Sequence, residues 1–268
     1  MTSFQKIPDG TLSGIGLKHY LAGAMAVAFG VFYYLAQSWG QELLVVSSDL
    51  LFIVASGTCS LLGLLVVRRW GLKGRFGVVH FGFFLGVFAW FLGETAWGVY
   101  EIFLHVEVPY PSLADVFYLT GYVPAATGML WFIWFFRRGL TPRKLTAGVL
   151  LGSIVVVASG VFLLYPLLTE SADLLTETLD VAYPSLDVLL LVFAVMMALV
   201  FEHGRFASSW LWIALGMFLT AVGDIAFSYG TLTGWYYSGH PTELFYLWGY
   251  LSLGLGFDSQ KRLGARND

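Results

Sequence analysis

The chain is expected to be an all-α, polytopic integral membrane protein of eight transmembrane helices. Three observations carry that expectation. The 268 residues are 58% hydrophobic and only 12% charged, too little charge to cover a soluble domain of this size. The apolar residues fall in runs of about 20, the length that crosses a bilayer. When eight such runs are drawn, all 14 Lys and Arg residues lie on one side.

The expected spans are 17–37, 43–67, 76–103, 112–136, 145–168, 183–202, 207–231 and 242–259. The first is too long for a signal-peptide core and lacks a small-residue cleavage site. The fifth and sixth have Pro166 and Pro184 near their ends, where a helix tolerates proline best. Orientation follows from the loops. Arg68, Arg69, Lys73 and Arg75 follow span two, Arg137, Arg138, Arg143 and Lys144 follow span four, and Arg205 follows span six. Lys6 and Lys18 precede or open span one, and Lys261, Arg262 and Arg266 lie in the tail. The positive-inside rule makes that side, and both termini, cytoplasmic. The opposite loops hold Glu42, Glu101, Glu107, Glu170, Asp173, Glu177 and Asp180, and no Lys or Arg.

Spans three and four resemble spans seven and eight. Gly93-Glu94-Thr95-Ala96-Trp97 and Asp115-Val-Phe-Tyr-Leu-Thr-Gly-Tyr122 match Gly223-Asp224-Ile225-Ala226-Phe227 and Glu243-Leu-Phe-Tyr-Leu-Trp-Gly-Tyr250, at offsets of 130 and 128 residues. A single transmembrane domain over 1–268 is expected, made of parallel four-helix halves at about 17–136 and 145–259. Duplicated halves often enclose a central site. A weaker echo opens each even-numbered span with a hydroxyl residue and an acid: Ser47-Ser48-Asp49, Ser112 with Asp115, Ser185 with Asp187, and Thr242-Glu243. For Asp49 and Asp187 helix capping is the favoured reading.

Glu94 and Asp224 resist that reading. Each sits late in its span, where the helix dipole disfavours a carboxylate. An acid within a span costs roughly 2.5–3.5 kcal/mol on insertion scales, so it should face the bundle interior and find a partner there. No Lys or Arg is available at that depth, which leaves neutral donors, a second acid or a bound cation. Glu94, Trp97 and Glu101 are spaced to share a helix face, as are Asp115, Tyr118 and Tyr122, and Glu243, Tyr246 and Tyr250. These residues are expected to converge on one ligand-binding pocket in the outer half of the bundle: Glu94, Trp97, Asp115, Tyr118, Tyr122, Asp224, Glu243, Tyr246 and Tyr250. The alternative for the tyrosines is an aromatic belt, which suits Tyr110, Trp235, Tyr236 and Tyr237.

Other sites carry less. Cys59 is the sole cysteine, so no internal disulfide or cysteine-based zinc site forms, and a small core residue is the expected role. His19 and His80 lie near the cytoplasmic ends of spans one and three and are the one pair that could bracket a haem, an unfavoured reading. Glu94 and Asp224 are the candidate metal ligands. Gly82-x-x-x-Gly86 and Gly148-x-x-x-Gly152 are expected to let helices pack closely.

The stretch from Gly93 to Tyr122, together with Tyr183-Pro-Ser-Leu-Asp187, resembles the multi-span sensor regions of bacterial diguanylate cyclase/phosphodiesterase proteins and prokaryotic sensor histidine kinases. The resemblance implies a prokaryotic cytoplasmic membrane and a stimulus passed to a cytoplasmic output. No output domain follows the last span, so a separate signalling partner is expected. The layout also resembles the eight-span lysoplasmalogenase-like hydrolases, in which acids in spans three and seven correspond to Glu94 and Asp224. That likeness implies hydrolysis of a lipid headgroup bond, with the two acids within about 4–7 Å of each other. A cation or proton transporter is a third reading. The leading one is a membrane sensor-like, ligand-binding module rather than an enzyme. Its expected partners are the bilayer, a small cationic ligand, metal or lipid, and a cytoplasmic protein, with no nucleic acid.

Overall fold

A computed structural model describes residues 10–159, 174–200 and 206–264. Among them there are eight α-helices and no strand. They are α1 Gly10–Ala36, α2 Gln41–Trp70, α3 Arg75–Gly98, α4 Leu113–Phe136, α5 Pro142–Ser159, α6 Leu174–Val200, α7 Ala207–Thr233 and α8 Leu244–Gly264. A π-helical turn, Val99–Phe103, continues α3, and a 3-10 turn, Pro241–Glu243, leads into α8. Five helical segments are long and apolar enough to cross a membrane: Gln41–Trp70, Arg75–Phe103, Leu113–Gly139, Leu174–Val200 and Ala207–Thr233. Their outward faces carry large apolar side chains such as Val54, Val123 and Leu211, all more than half exposed. Bare apolar surface of this extent suits contact with lipid tails.

The helices pack in a closed circuit. α2 lies against α3, α3 against α4, α4 against α6, α6 against α7, α7 against α8, and α8 returns to α2. α1 lies outside this ring against α8, and α5 outside it against α6. The tightest seams depend on absent side chains. A Cβ on Gly82 would lie 2.6 Å from the Pro124 carbonyl oxygen, and one on Gly86 would lie 2.8 Å from the Ala125 Cβ. The second glycine pair works similarly, since a Cβ on Gly152 would meet Val192 at 2.5 Å. Small residues let backbones approach, which is how helices associate where lipid is as apolar as leucine. Cys59 is a buried core residue, as expected.

One end of the ring is filled with aromatic rings. Phe83, Phe132, Trp210 and Phe257 are fully buried there, with the Phe132 and Trp210 centroids 4.5 Å apart. His80 is buried among them, its ring parallel to Trp210 at 5.6 Å and edge-on to Phe257. The His19 side chain, Pro166 and Arg205 lie outside the described residues.

Three expectations about helix ends need correction. Pro184 does not mark the start of a span; it sits well inside α6, which begins at Leu174. Helix α2 begins at Gln41, so Asp49 stands two turns in. Asp187 is deeper still in α6. Capping therefore does not account for Asp49 or Asp187, which are buried within their helices.

Candidate functional site

Helix α3 carries Glu94 one turn before its end at Gly98, and α7 carries Asp224 well before its end at Thr233. The residues before each acid are glycines that face a tyrosine of the next helix. A Cβ on Gly93 would lie 2.5 Å from the Tyr118 ring, and one on Gly223 would lie 2.9 Å from the Tyr246 ring. Each tyrosine thus packs flat over the glycine and reaches the acid beside it. Tyr118 donates to Glu94 Oε2 at 3.0 Å, and Tyr246 donates to Asp224 Oδ1 at 2.7 Å. One turn further along, the second tyrosine of each stripe reaches across the ring. Tyr250 donates to Glu94 Oε1 at 2.7 Å, whereas Tyr122 donates to Asp187 Oδ1 at 2.5 Å. On this side the second tyrosine therefore reaches Asp187 of α6 rather than Asp224, whose side chain is one methylene shorter than that of Glu94.

The acids at the start of α4 and α8 are engaged from several directions. Ser112 and Asp115 form a capping box, with the Ser112 N–H donating to Asp115 Oδ2 at 2.6 Å. Tyr183 donates to the remaining oxygen at 2.7 Å, so Asp115 caps its helix and faces the interior at once. Glu243 accepts four hydrogen bonds. Tyr33 and Ser48 donate to Oε2 at 2.8 and 2.7 Å, and Tyr236 and the Gly239 N–H donate to Oε1, both at 2.8 Å. Burial, and then the Glu243 carboxyl, hold the Tyr236 hydroxyl well above its usual ionisation range, so it remains a donor. Burial also holds His240 below its ordinary value. The neutral ring then accepts from the Thr242 N–H at 3.2 Å and caps the turn leading to Glu243.

Between these groups is a cavity of about 120 Å³. All nine residues expected to line a pocket do line it: Glu94, Trp97, Asp115, Tyr118, Tyr122, Asp224, Glu243, Tyr246 and Tyr250. Among the described residues, the cavity wall comprises eleven aromatic and five acidic side chains, with no Lys, Arg or His. Tyr110 and Tyr236, expected in an interfacial belt, instead close the cavity from the α3–α4 and α7–α8 connections. Glu101 keeps the expected contact with its helix neighbour Trp97. It lies in the π-helical turn, where Trp97 Nε1 donates to it at 2.8 Å and the Ser238 hydroxyl at 2.5 Å. It does not line the cavity.

Sequence reasoning missed Asp49, Phe52, Trp90, Tyr183 and Thr220 as lining residues. The signal for Asp49 was present in the hydroxyl-acid echo of the even-numbered spans. Among the described residues, no group of three or more His, Cys, Asp or Glu side chains is arranged to hold a metal ion. Glu94 and Asp224 both line the cavity, together with Asp49, Asp115 and Glu243.

The fold and site together define a class: a helical protein of membrane character with an acidic, aromatic cavity at one end of its helix ring. No family model, curated protein or solved structure matches the chain.

Proposed function

We propose that the protein is a membrane sensor-like module that binds a small cationic ligand in this cavity and signals through a separate cytoplasmic partner. One observation carries the reading: five carboxyl groups and eleven aromatic rings line a single cavity without a cation among them. Carboxylates supply charge, and ring faces attract ammonium and guanidinium groups. In this reading eight spans run as two parallel halves, and the cavity opens to the outer face. Support comes from the matched tyrosine–acid contacts, Tyr118 to Glu94 and Tyr246 to Asp224. The placement of every Lys and Arg on one side supports the orientation. Helix α8 links the two ends, since it carries Tyr246 and Tyr250 at the cavity and Lys261 and Arg262 in its last turn. The aromatic plug around Trp210 favours a binding module over a transporter, because it fills the opposite end of the ring.

A native mass spectrum of the gently solubilised protein tests the proposal. The expected result is a retained cationic small molecule, lost in the double variant Glu94→Gln, Asp224→Asn while the fold persists. Unchanged ligand retention in a folded double variant would overturn it. The presence of Glu94 and Asp224 on one cavity favours a second reading, lipid hydrolysis with these two acids, since two carboxyls in one site can divide acid and base roles. Release of a headgroup from lysophospholipid by wild type, but not by the double variant, would replace the first reading with the second.

A further inference from the structure

The polar ends of the cavity's rings are engaged within the protein. Tyr118, Tyr122, Tyr183, Tyr236, Tyr246 and Tyr250 each donate their hydroxyl to a carboxylate of the bundle. Trp90 Nε1 donates to the Tyr118 carbonyl at 3.1 Å, and Trp97 Nε1 to Glu101 at 2.8 Å. The lining acids are engaged in turn. Both oxygens of Glu94, Asp115 and Glu243, and one of Asp224, already accept from the protein. The Thr220 hydroxyl is spent on the Gly216 carbonyl at 3.1 Å. An occupant therefore meets ring carbons and negative charge more than it meets open hydrogen-bonding groups.

The lining rings also stand at steep angles to one another. Phe52 and Tyr246 meet at 65°, Trp90 and Tyr122 at 70°, and Tyr122 and Tyr183 at 63°. Phe227 meets Trp97 at 75° and Tyr236 at 77°. At the plugged end, by contrast, His80 lies parallel to Trp210 and Phe76 to Phe206. Stacked rings suit a flat guest, whereas rings set as adjoining walls enclose a rounded one. The cavity's 120 Å³, against the roughly 10–15 Å³ that one water needs, leaves room for a compact group of several heavy atoms.

A primary ammonium carries three N–H donors and a guanidinium five, and donors left without acceptors weaken binding. A quaternary ammonium carries none. It is rounded, its charge is spread over its methyl groups, and ring faces attract it. Hydroxyls that donate to carboxylates are polarised toward their rings, which strengthens that attraction. We infer that the cavity takes a quaternary ammonium group of trimethylammonium size, the group shared by free choline-like solutes and by choline headgroups of lipids. The inference rests on the cation-binding reading above and narrows it to a cation without N–H donors.

Calorimetric titration of the full chain in maltoside micelles tests this. Tetramethylammonium is compared with methylammonium, and choline with its neutral isostere 3,3-dimethylbutan-1-ol. The quaternary member of each pair is expected to bind about ten-fold or more tightly. Phe227→Leu, which removes a wall ring and no hydrogen-bonding group, is expected to weaken tetramethylammonium several-fold and leave methylammonium unchanged. A short-chain phosphocholine lipid, titrated below its micellar concentration, locates the source: binding tighter than choline assigns the group to a headgroup, and weaker binding to a free solute. Either order supports the inference. Methylammonium binding as tightly as tetramethylammonium would overturn it and leave the cation reading standing. Equal binding of choline and its neutral isostere, or no binding of any of these by a protein that melts cooperatively, would overturn both. The wild-type comparisons decide the matter even if Phe227→Leu fails to fold.

Discussion

Glu243 and Glu94 are both carboxylates at the cavity, but they are bound very differently. Glu243 holds four donors drawn from α1, α2 and the α7–α8 connection. Glu94 holds two tyrosine hydroxyls and keeps part of its surface toward the cavity. Removing a buried acceptor strands its donors at about 1–3 kcal/mol for each group left unpaired. Glu243→Ala is therefore expected to destabilise the protein by roughly 3 kcal/mol or more, seen as a lower midpoint of thermal unfolding in detergent. Glu94→Gln preserves shape and still accepts a tyrosine hydroxyl, so its midpoint should move little while ligand binding falls. A midpoint shift as large for Glu94→Gln as for Glu243→Ala would show that both acids chiefly hold helices together. Much of this site was legible because the two halves repeat the same residues at the same helical spacing. The donors to Glu243 were not. Tyr33 sits in an apolar run that offers no pattern, and it meets Glu243 from 210 positions away.

At the scale of the helix, the seams between α3 and α4 and the start of α2 were legible and the start of α6 was not. Gly82 and Gly86 are one turn apart on a face that presses against the backbone of α4. Gly82→Val would place its side chain against the Pro124 carbonyl and Gly128, neither of which can move aside by a rotamer change. Overpacking of this kind costs about 1–3 kcal/mol or more, and the α3–α4 seam also carries the Tyr118–Glu94 contact. Gly82→Val should therefore lower both the thermal midpoint and ligand affinity. Gly23→Val, at a glycine with open space around it, should lower neither. The start of α6 was misplaced, and Asp49 was read as a cap in α2, because Ser185 and Ser47 look like caps before an apolar run. In the structure, Glu42 occupies the first turn of α2, and the helix passes the serines without interruption. For α6 the polar stretch around Glu177 reads as a loop, and Pro184 reads as its end. Yet the helix runs through both, and this is what buries Asp187 opposite Tyr122.

For the molecule as a whole, the count of apolar helices and the sorting of charge are separate clues. Helix length and apolar surface speak of a membrane; only the Lys and Arg placement speaks of sidedness. Cys59 is the only native thiol and is buried, so single introduced cysteines report sidedness cleanly on a Cys59→Ala background. A membrane-impermeant maleimide is expected to label Glu107→Cys in intact cells and Arg138→Cys only after lysis. The opposite pattern would invert the topology and turn the cavity toward the cytoplasm.

The closure of the helix circuit between α2 and α8 also sets the order in which the protein can be made. A nascent chain delivers Glu94 to the bilayer with Tyr118 close behind, but Tyr250, its other donor, is 156 residues downstream. Until α8 emerges, α2 lacks its last neighbour and Asp49, Ser48 and Glu94 face an open seam. In the proposed eight-span topology, biogenesis passes through a stage in which costly acids wait for the final helix. A chain stopped before α8 would present those acids to lipid and to membrane quality-control proteases.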